Sequence, residues 1–236
     1  MQQVGTITAV AFYPVKSMRG VRPTAAPLSL QGFVGDRQYA FVQTASRSAF
    51  PYLTGRECPD LFQFQPWIDS TDAQRPKVIV TTPDGRSLPV DSDELRRELE
   101  QRADRPLFLL RDYRGSPDVA PVSLIGEATV GAVDAQVAVP VEPERFRANL
   151  YVECADRTPF AEDAWIGDTL RIGTAARVAV TEADSRCVMV TRHPGTGAAT
   201  PEVLATVARL HANTAGVYGT VLAPGTVATG DPIVIE

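Results

Sequence analysis

Residues 230–235 read GDPIVI and residues 167–172 read GDTLRI, so one short pattern occurs twice in the chain. In each copy a Gly-Asp turn is followed by alternating apolar residues, which is typical of a strand with one buried face. Two such strands that start from tight turns indicate a curved sheet, and the alternative is chance similarity. The repeat therefore predicts a β-barrel in the C-terminal half.

Outward from this repeat, the chain consists largely of short apolar runs bounded by Gly, Pro, Asp and Asn. Such runs predict strands, and Pro83-Asp84-Gly85 between two of them predicts a hairpin turn. The predicted strands cover residues 4–15, 39–43, 77–81, 107–110, 150–153, 170–172, 177–181, 188–190 and 232–235.

Helices are expected to be few and peripheral. Asp91 is a candidate cap for a helix that ends near Gln101, and Thr200 followed by Pro201 marks a second helix start. Residues 123–133 form a third candidate helix. The predicted fold class is therefore mostly β, with two β-barrel units and peripheral helices.

The polarity of the sequence rises around residues 117–122, and this rise predicts a domain boundary. We therefore expect two domains, residues 1–118 and residues 119–236. The first holds 15 basic and 14 acidic side chains, and the second holds 8 and 14. Neither half has the basic surface that nucleic-acid binding requires.

The overall composition is ordinary for a soluble globular protein. Apolar residues make up 44% of the 236 residues, charged residues make up 22%, and the net charge is −5. The sequence has no run of about 20 apolar residues that would cross a membrane, and its N-terminus lacks the pattern of a signal peptide. We expect a cytoplasmic protein that has neither a membrane nor a nucleic acid as a partner.

Three cysteines, Cys58, Cys154 and Cys187, are too few and too dispersed for a disulfide framework or a four-thiolate metal cluster. Cys187 follows an arginine at the end of a predicted strand. A neighbouring cation favours the thiolate, which is both a nucleophile and a ligand for soft metals. The alternative is the usual one for a lone cysteine, a small buried apolar side chain.

Other polar side chains stand at predicted strand ends. Lys16 and Ser17 follow a strand and offer donors to an oxyanion such as phosphate, with a solvated turn as the alternative. Arg147 and Asn149 precede a strand and offer donors and acceptors to a heterocycle or a phosphate, with a surface edge as the alternative. Arg37 follows an aspartate, so a local ion pair is its simplest role.

The order of these motifs is more specific than any one of them. Tyr-Pro-Val-Lys-Ser starts at residue 13, Gly-Asp-Arg at 35, Leu-Thr-x-Arg-Glu at 53, Arg-Phe-Arg-x-Asn at 145 and Ser-Arg-Cys at 185. The series resembles the MOSC proteins, in which an N-terminal β-barrel domain precedes the MOSC domain proper. Within them it is most similar to the mitochondrial amidoxime-reducing components and the bacterial reductases of N-hydroxylated bases. The resemblance covers essentially the whole chain.

The resemblance implies a molybdenum cofactor, Mo-molybdopterin, with Cys187 as the catalytic thiolate that binds the metal. It also implies two walls that contact the pterin and its phosphate, one from each domain. The expected first wall holds Lys16, Ser17, Arg37, Thr54 and Arg56, and the expected second wall holds Arg147, Asn149, Ser185 and Arg186. The chain departs from the family pattern at Met18, where many relatives carry a small residue or cysteine, and at Ala148, where proline is usual.

The implied activity is the reduction of N-oxygenated or N-hydroxylated compounds. Because the cysteines cannot hold an iron–sulfur cluster in the usual mode, electrons are expected from a separate protein, a flavin reductase with a cytochrome or a ferredoxin. Substrate selection is expected to depend on loops such as residues 193–200. Two alternatives use the same residues: a persulfide carrier at Cys187, and a protein that binds or delivers the cofactor without turnover.

Overall fold

Strands are the main elements of the structure, a computed structural model that describes residues 2–44, 46–69 and 77–236. Within these ranges the strands are β1 (Gln2–Val10), β2 (Ala25–Ser29), β3 (Gly32–Phe33), β4 (Tyr39–Gln43), β5 (Gln65–Asp69), β6 (Lys77–Thr81), β7 (Ser87–Pro89), β8 (Leu107–Arg111), β9 (Val122–Gly126), β10 (Leu150–Cys154), β11 (Thr169–Ile172), β12 (Ala176–Ser185), β13 (Thr214–Ala223), β14 (Gly225–Ala228) and β15 (Pro232–Ile235). The α-helices are α1 (Asp93–Ala103), α2 (Glu127–Asp134) and α3 (Pro201–His211).

Seven of these strands form a closed barrel in the order β1-β10-β9-β13-β12-β11-β15. The two strands of the sequence repeat, β11 and β15, are antiparallel neighbours, with Leu170 opposite Ile235. Leu170 and Ile172 are buried in the barrel core, whereas Arg171 between them is partly exposed. In each strand of the repeat, alternate residues therefore face the barrel core, as the sequence pattern predicted. The predicted barrel is confirmed.

The N-terminal part of the chain also contributes to the barrel. β1 lies between β10 and β15, and β2 pairs with β14. Other N-terminal strands form two small sheets, β4-β8 and β5-β6-β7, and α1 packs against β7 and β8. The proposed division at residue 118 stays a prediction, since strands from both sides of it pair with one another.

Separate apolar cores hold the barrel and the N-terminal sheets. The barrel core includes Leu124, Val152 and Val178, and the N-terminal core includes Leu95 and Leu99 of α1. All five side chains are fully buried. Since each buried side chain of this size contributes roughly 1.5–3 kcal/mol relative to an exposed one, the two cores fix the positions of the loops that meet between them.

Two predicted elements differ in the structure. Residues 188–191 form a 3-10 turn instead of a strand, and residues 122–126 form β9 instead of the start of a helix. All five residues of β9 are buried, including the polar Ser123, so the segment has no alternation of buried and exposed positions that would distinguish a strand from a helix. The helix that follows, α2, begins only at Glu127.

The other predicted starts and turns are closer to the structure. The helix start at Pro201 and the hairpin between β6 and β7 are confirmed. The predicted cap at Asp91 is wrong, because α1 begins at Asp93 and Ser92 Oγ accepts a hydrogen bond from the Leu95 amide at 3.3 Å. Among the helices of the described ranges, none combines the length and the apolar character needed to cross a lipid bilayer.

Candidate functional site

A cleft opens where loops of the N-terminal part meet the end of β12. The structure brings together in it all ten side chains that the sequence predicted for a site, although they come from five separate motifs. The ten lining residues are Lys16, Ser17, Arg37, Thr54, Arg56, Arg147, Asn149, Ser185, Arg186 and Cys187.

The Cys187 sulfur lies on the cleft wall and is partly buried. It accepts a hydrogen bond from Arg56 Nη2 at 3.3 Å, so the two halves of the chain meet at this atom. Cys58 and Cys154 are buried elsewhere. Burial raises the pKa of the Cys58 thiol, and burial together with the nearby Glu162 carboxylate raises that of Cys154 to about 12. Of the three cysteines, Cys187 is therefore the one that lines the cleft.

The cleft is strongly cationic although the chain as a whole carries a net charge of −5. Six basic side chains and only two acidic ones line it, so its local charge is the opposite of the overall charge. Such a concentration of guanidinium and ammonium groups suits an anionic ligand, above all a phosphate. The basic residues are Lys16, Arg37, Arg56, Arg145, Arg147 and Arg186, and the acidic ones are Asp118 and Asp184.

Lys16 is buried, with 6% of its surface exposed, which excludes the alternative of a solvated turn. Its Nζ donates to the Ser116 carbonyl at 2.8 Å and to Asp118 Oδ1 at 2.5 Å. Burial lowers the pKa of Lys16, and the Asp118 carboxylate opposes this shift. An ammonium group has three donors, and these two hydrogen bonds use two of them; the Phe50 and Tyr52 ring centroids also lie 5.2 and 5.1 Å from Nζ.

Three of the lining residues have a strained backbone. Ser17, Arg37 and Arg147 have φ values of 66°, 49° and 51°, in the left-handed region that favours glycine. Hydrogen bonds from the Arg37 amide to the Tyr13 carbonyl at 2.7 Å and from the Arg147 amide to the Glu144 carbonyl at 3.1 Å hold two of these turns. A non-glycine residue with this backbone conformation costs about 1–3 kcal/mol of folding free energy. Such residues are typical of functional sites, where the position of a side chain matters more than this cost.

Arg37 and Arg147 share the ring of Tyr13. Arg147 Cζ lies 4.1 Å from the ring centroid and Arg37 Cζ lies 4.9 Å from it. Arg37 pairs with Asp36, as the local reading of its motif predicted, and Arg37 Nη2 also donates to the Arg147 carbonyl at 3.2 Å. Burial lowers the pKa of Arg147 to about 10. Its guanidinium is therefore charged at neutral pH and poorly compensated, a state that an anion would stabilise.

Asn149 lines the cleft, but its amide is engaged by the protein. Its Oδ1 accepts from the Ser123 amide at 3.1 Å, and its Nδ2 donates to the Ala11 carbonyl and to Asp36 Oδ2, both at 3.2 Å. The side chain thus connects the chain after β1, the Gly-Asp-Arg turn and β9. Its expected contact with the cofactor stays a prediction, and these bonds give it a clear part in holding the walls together.

Arg186 is engaged in the same way. Its Nη1 donates to the Phe146 carbonyl at 2.6 Å, its Nε donates to the Ala215 carbonyl at 2.8 Å, and its Nη2 lies 2.8 Å from Asp184 Oδ2. Only 9% of Arg186 is exposed. The guanidinium therefore fixes the end of β12, on which the neighbouring Ser185 presents an exposed side chain to the cleft.

The comparison with known sequences agrees with this geometry. Residues 111–234 match the family model of the MOSC domain, and residues 4–109 match that of the MOSC N-terminal beta barrel domain. The chain belongs to the MOSC family. The predicted family and the predicted order of its two parts are thereby confirmed.

Curated relatives of this MOSC protein include two amidoxime-reducing components. Mitochondrial amidoxime reducing component 2 of Bos taurus is 26% identical over 241 residues, which cover 84% of this chain and 69% of that protein. Mitochondrial amidoxime-reducing component 1 of Homo sapiens is 25% identical over 290 residues, which cover 99% and 83%. The solved YuaD protein of Bacillus subtilis shares the fold, with a TM-score of 0.51, 13% identity and coverage of 97% and 93%.

Sequence reasoning missed several residues of the MOSC cleft. Asp118, the partner of Lys16, stands 102 positions away at the predicted domain boundary. Tyr218 on β13 belongs to a segment that resembles the family pattern, but the sequence assigned it no role. The loop of residues 193–200, which was expected to select substrates, contributes to a different cavity. His193 and Gly195 line that cavity together with Arg147, which lines both.

Proposed function

We propose that this MOSC protein is a molybdenum-cofactor-dependent reductase of N-hydroxylated compounds, with Cys187 as the protein ligand of the metal. The observation that carries the proposal is the position of the Cys187 sulfur in a cleft that gathers cationic groups from both halves of the chain. The names of the relatives, amidoxime-reducing components, support the reaction class.

The residues of the cleft fit such a cofactor. A thiolate is the kind of ligand that molybdenum, already held by sulfur, accepts from a protein. Lys16 adds an ammonium group to the cleft lining, and Ser17 and Ser185 add hydroxyl groups. These donors, with Arg147 beside them, suit the oxygen atoms of a terminal phosphate and the polar edge of a pterin.

Each residue then has a role that follows from its contacts. Lys16 and Arg147 bind the anionic group, while Asn149 and Arg186 hold the two walls at a fixed separation. Arg56 donates to the Cys187 sulfur and so helps to hold it in position on the cleft wall. When bound, the cofactor supplies the two-electron couple for cleavage of the N–O bond.

The proposed overall reaction balances with two electrons and two protons. The N–O bond of the substrate breaks, the reduced nitrogen compound forms, and the oxygen leaves as water. We propose that the electrons come from a separate redox protein, a flavin reductase with a cytochrome or a ferredoxin. Purified alone, the protein should therefore reduce substrate with an artificial donor, and activity with a nicotinamide cofactor alone would contradict this part.

The test is a comparison of Cys187→Ser with wild-type protein expressed in a cofactor-competent host. We expect nearly one molybdenum per wild-type chain by elemental analysis. Serine is close to cysteine in volume but is a harder ligand, so turnover of an amidoxime should be lost while the melting temperature stays within about 2 °C. Cys58→Ala is the control variant, because Cys58 lies outside the cleft lining.

Other outcomes point to other functions. Unchanged activity of Cys187→Ser would refute the thiolate assignment. Substoichiometric metal together with a sulfur adduct on Cys187 by mass spectrometry would favour a persulfide carrier. Bound cofactor without turnover of any N-hydroxylated compound would favour cofactor storage or delivery.

A further inference from the structure

Phe50 is an aromatic residue beside the cleft that the cofactor site does not use. Its ring centroid lies 5.2 Å from Lys16 Nζ and 5.7 Å from Arg56 Cζ, and both of those residues line the cleft. Arg56 in turn donates to Cys187 Sγ at 3.3 Å. A single side chain therefore separates the Phe50 ring from the proposed ligand of the metal.

The ring is held in a defined position. It meets the ring of Tyr52 edge to face, with the centroids 5.0 Å apart and an interplanar angle of 78°. The backbone on either side is tied down, since the Phe50 amide donates to Ser48 Oγ at 3.0 Å and the Gln43 amide of β4 donates to the Pro51 carbonyl at 3.0 Å. Phe50 nevertheless keeps 37% of its surface exposed.

Two further exposed apolar side chains belong to this part of the molecule. Val188 follows Cys187 directly and is 42% exposed, and Val119 lines the cleft and is 58% exposed. Exposed apolar groups beside a polar cleft are unfavourable in water, and such groups commonly mark the contact surface of a ligand. The cationic groups deeper in the cleft suit the anionic cofactor, so this apolar rim is left for the substrate.

On the basis of the function proposed above, we propose that Phe50, with Val119 and Val188, forms an apolar rim that selects uncharged N-hydroxylated substrates carrying an aromatic ring. A ring attached to the reacting group would contact Phe50, and aromatic pairs gain stability beyond their buried area. Arg56, exposed beside the sulfur, disfavours positively charged substrates at the same place. Phe50 is thus a specificity-determining residue.

The test compares benzamidoxime with acetamidoxime, which carry the same reacting group but bear a phenyl ring and a methyl group respectively. With a reduced viologen dye as the electron donor, each substrate takes up two electrons and two protons and gives the amidine and water. Rates are normalised to bound molybdenum, because Phe50 also contacts Lys16. Phe50→Ala should lower the ratio of kcat/KM for benzamidoxime to that for acetamidoxime by about threefold to tenfold.

The change should appear mainly as a higher KM for benzamidoxime, as expected when a contact that binds substrate and transition state equally is removed. Phe50→Leu, which keeps an apolar side chain, should restore part of the ratio. Phe108→Ala on β8, a phenylalanine that is 46% exposed, is the matched control and should leave the ratio within about twofold of wild type.

An equal loss on both substrates after Phe50→Ala would overturn the rim assignment and leave the reductase function intact. Wild-type protein that holds molybdenum but reduces neither compound would overturn the reductase function itself.

Discussion

Replacement of Asn149 by alanine tests whether this residue ties the two walls of the cleft together. The side chain accepts from the Ser123 amide and donates to the Ala11 carbonyl and the Asp36 carboxylate, and it is 1% exposed. Alanine would leave these three groups without their partner in a place where water cannot easily enter. The variant should therefore lose stability as well as cofactor.

The size of the effect follows from these contacts. A hydrogen bond between neutral groups contributes about 0.5–1.5 kcal/mol, and one to a charged group contributes about 1.5–3 kcal/mol. In the variant, the Asp36 carboxylate still accepts a hydrogen bond from the Tyr13 amide at 2.7 Å. The free-energy cost is therefore lower than that of a buried carboxylate with no hydrogen-bond donor. We expect Asn149→Ala to lower the free energy of unfolding by about 3–4 kcal/mol.

The assay is urea denaturation followed by circular dichroism, with the midpoint and the slope fitted separately. For a chain of this length the expected loss corresponds to a melting temperature lower by about 10 °C. Ser185→Ala is the control, since Ser185 lines the same cleft but is exposed, and it should change stability by less than about 0.5 kcal/mol. A loss of under about 1 kcal/mol for Asn149→Ala would refute the structural role assigned to this amide.

Two further predictions concern binding and reactivity. Lys16→Ala should reduce the molybdenum-to-protein ratio severalfold because it removes a buried donor. Lys77→Ala is the control, since Lys77 is exposed, and it should leave the ratio unchanged. Equal ratios in the two variants would contradict the role of Lys16. At pH 8, iodoacetamide should label Cys187 in cofactor-free protein well before the buried Cys58 and Cys154, since the pKa of Cys154 is raised to about 12. Peptide mass spectrometry measures this order, and early labelling of Cys154 would contradict it.

The fold could be predicted where the sequence pattern has a direct spatial meaning. The repeated Gly-Asp turn precedes two strands that are neighbours in the barrel, and alternation fixes which side of each is buried. β9 could not be predicted, because all of its residues are buried and no alternation remains. The turn over residues 188–191 was missed for a related reason, since three apolar residues in a row do not show whether the backbone extends or coils.

For the site, the order of the motifs was enough to predict which residues meet, but not what each one does. Arg186 was expected to contact a ligand, yet its donors are used by carbonyl groups and Asp184. The pairing of Lys16 with Asp118 joins positions about a hundred residues apart. One sequence carries no signal for such a contact, because nothing local to either residue depends on the other.

The position of β1 has a consequence for how the molecule is made. β1 begins at Gln2 and pairs with β15, which ends at Ile235, so the first and last strands of the chain are neighbours. The barrel can close only after both β1 and β15, which are far apart in sequence, have been synthesised. Until then β1 carries an unpaired edge, which is a template for pairing with other chains, and closure between such distant segments is intrinsically slow. Before closure, therefore, the free edge of β1 is a place where an incompletely folded chain can associate with another.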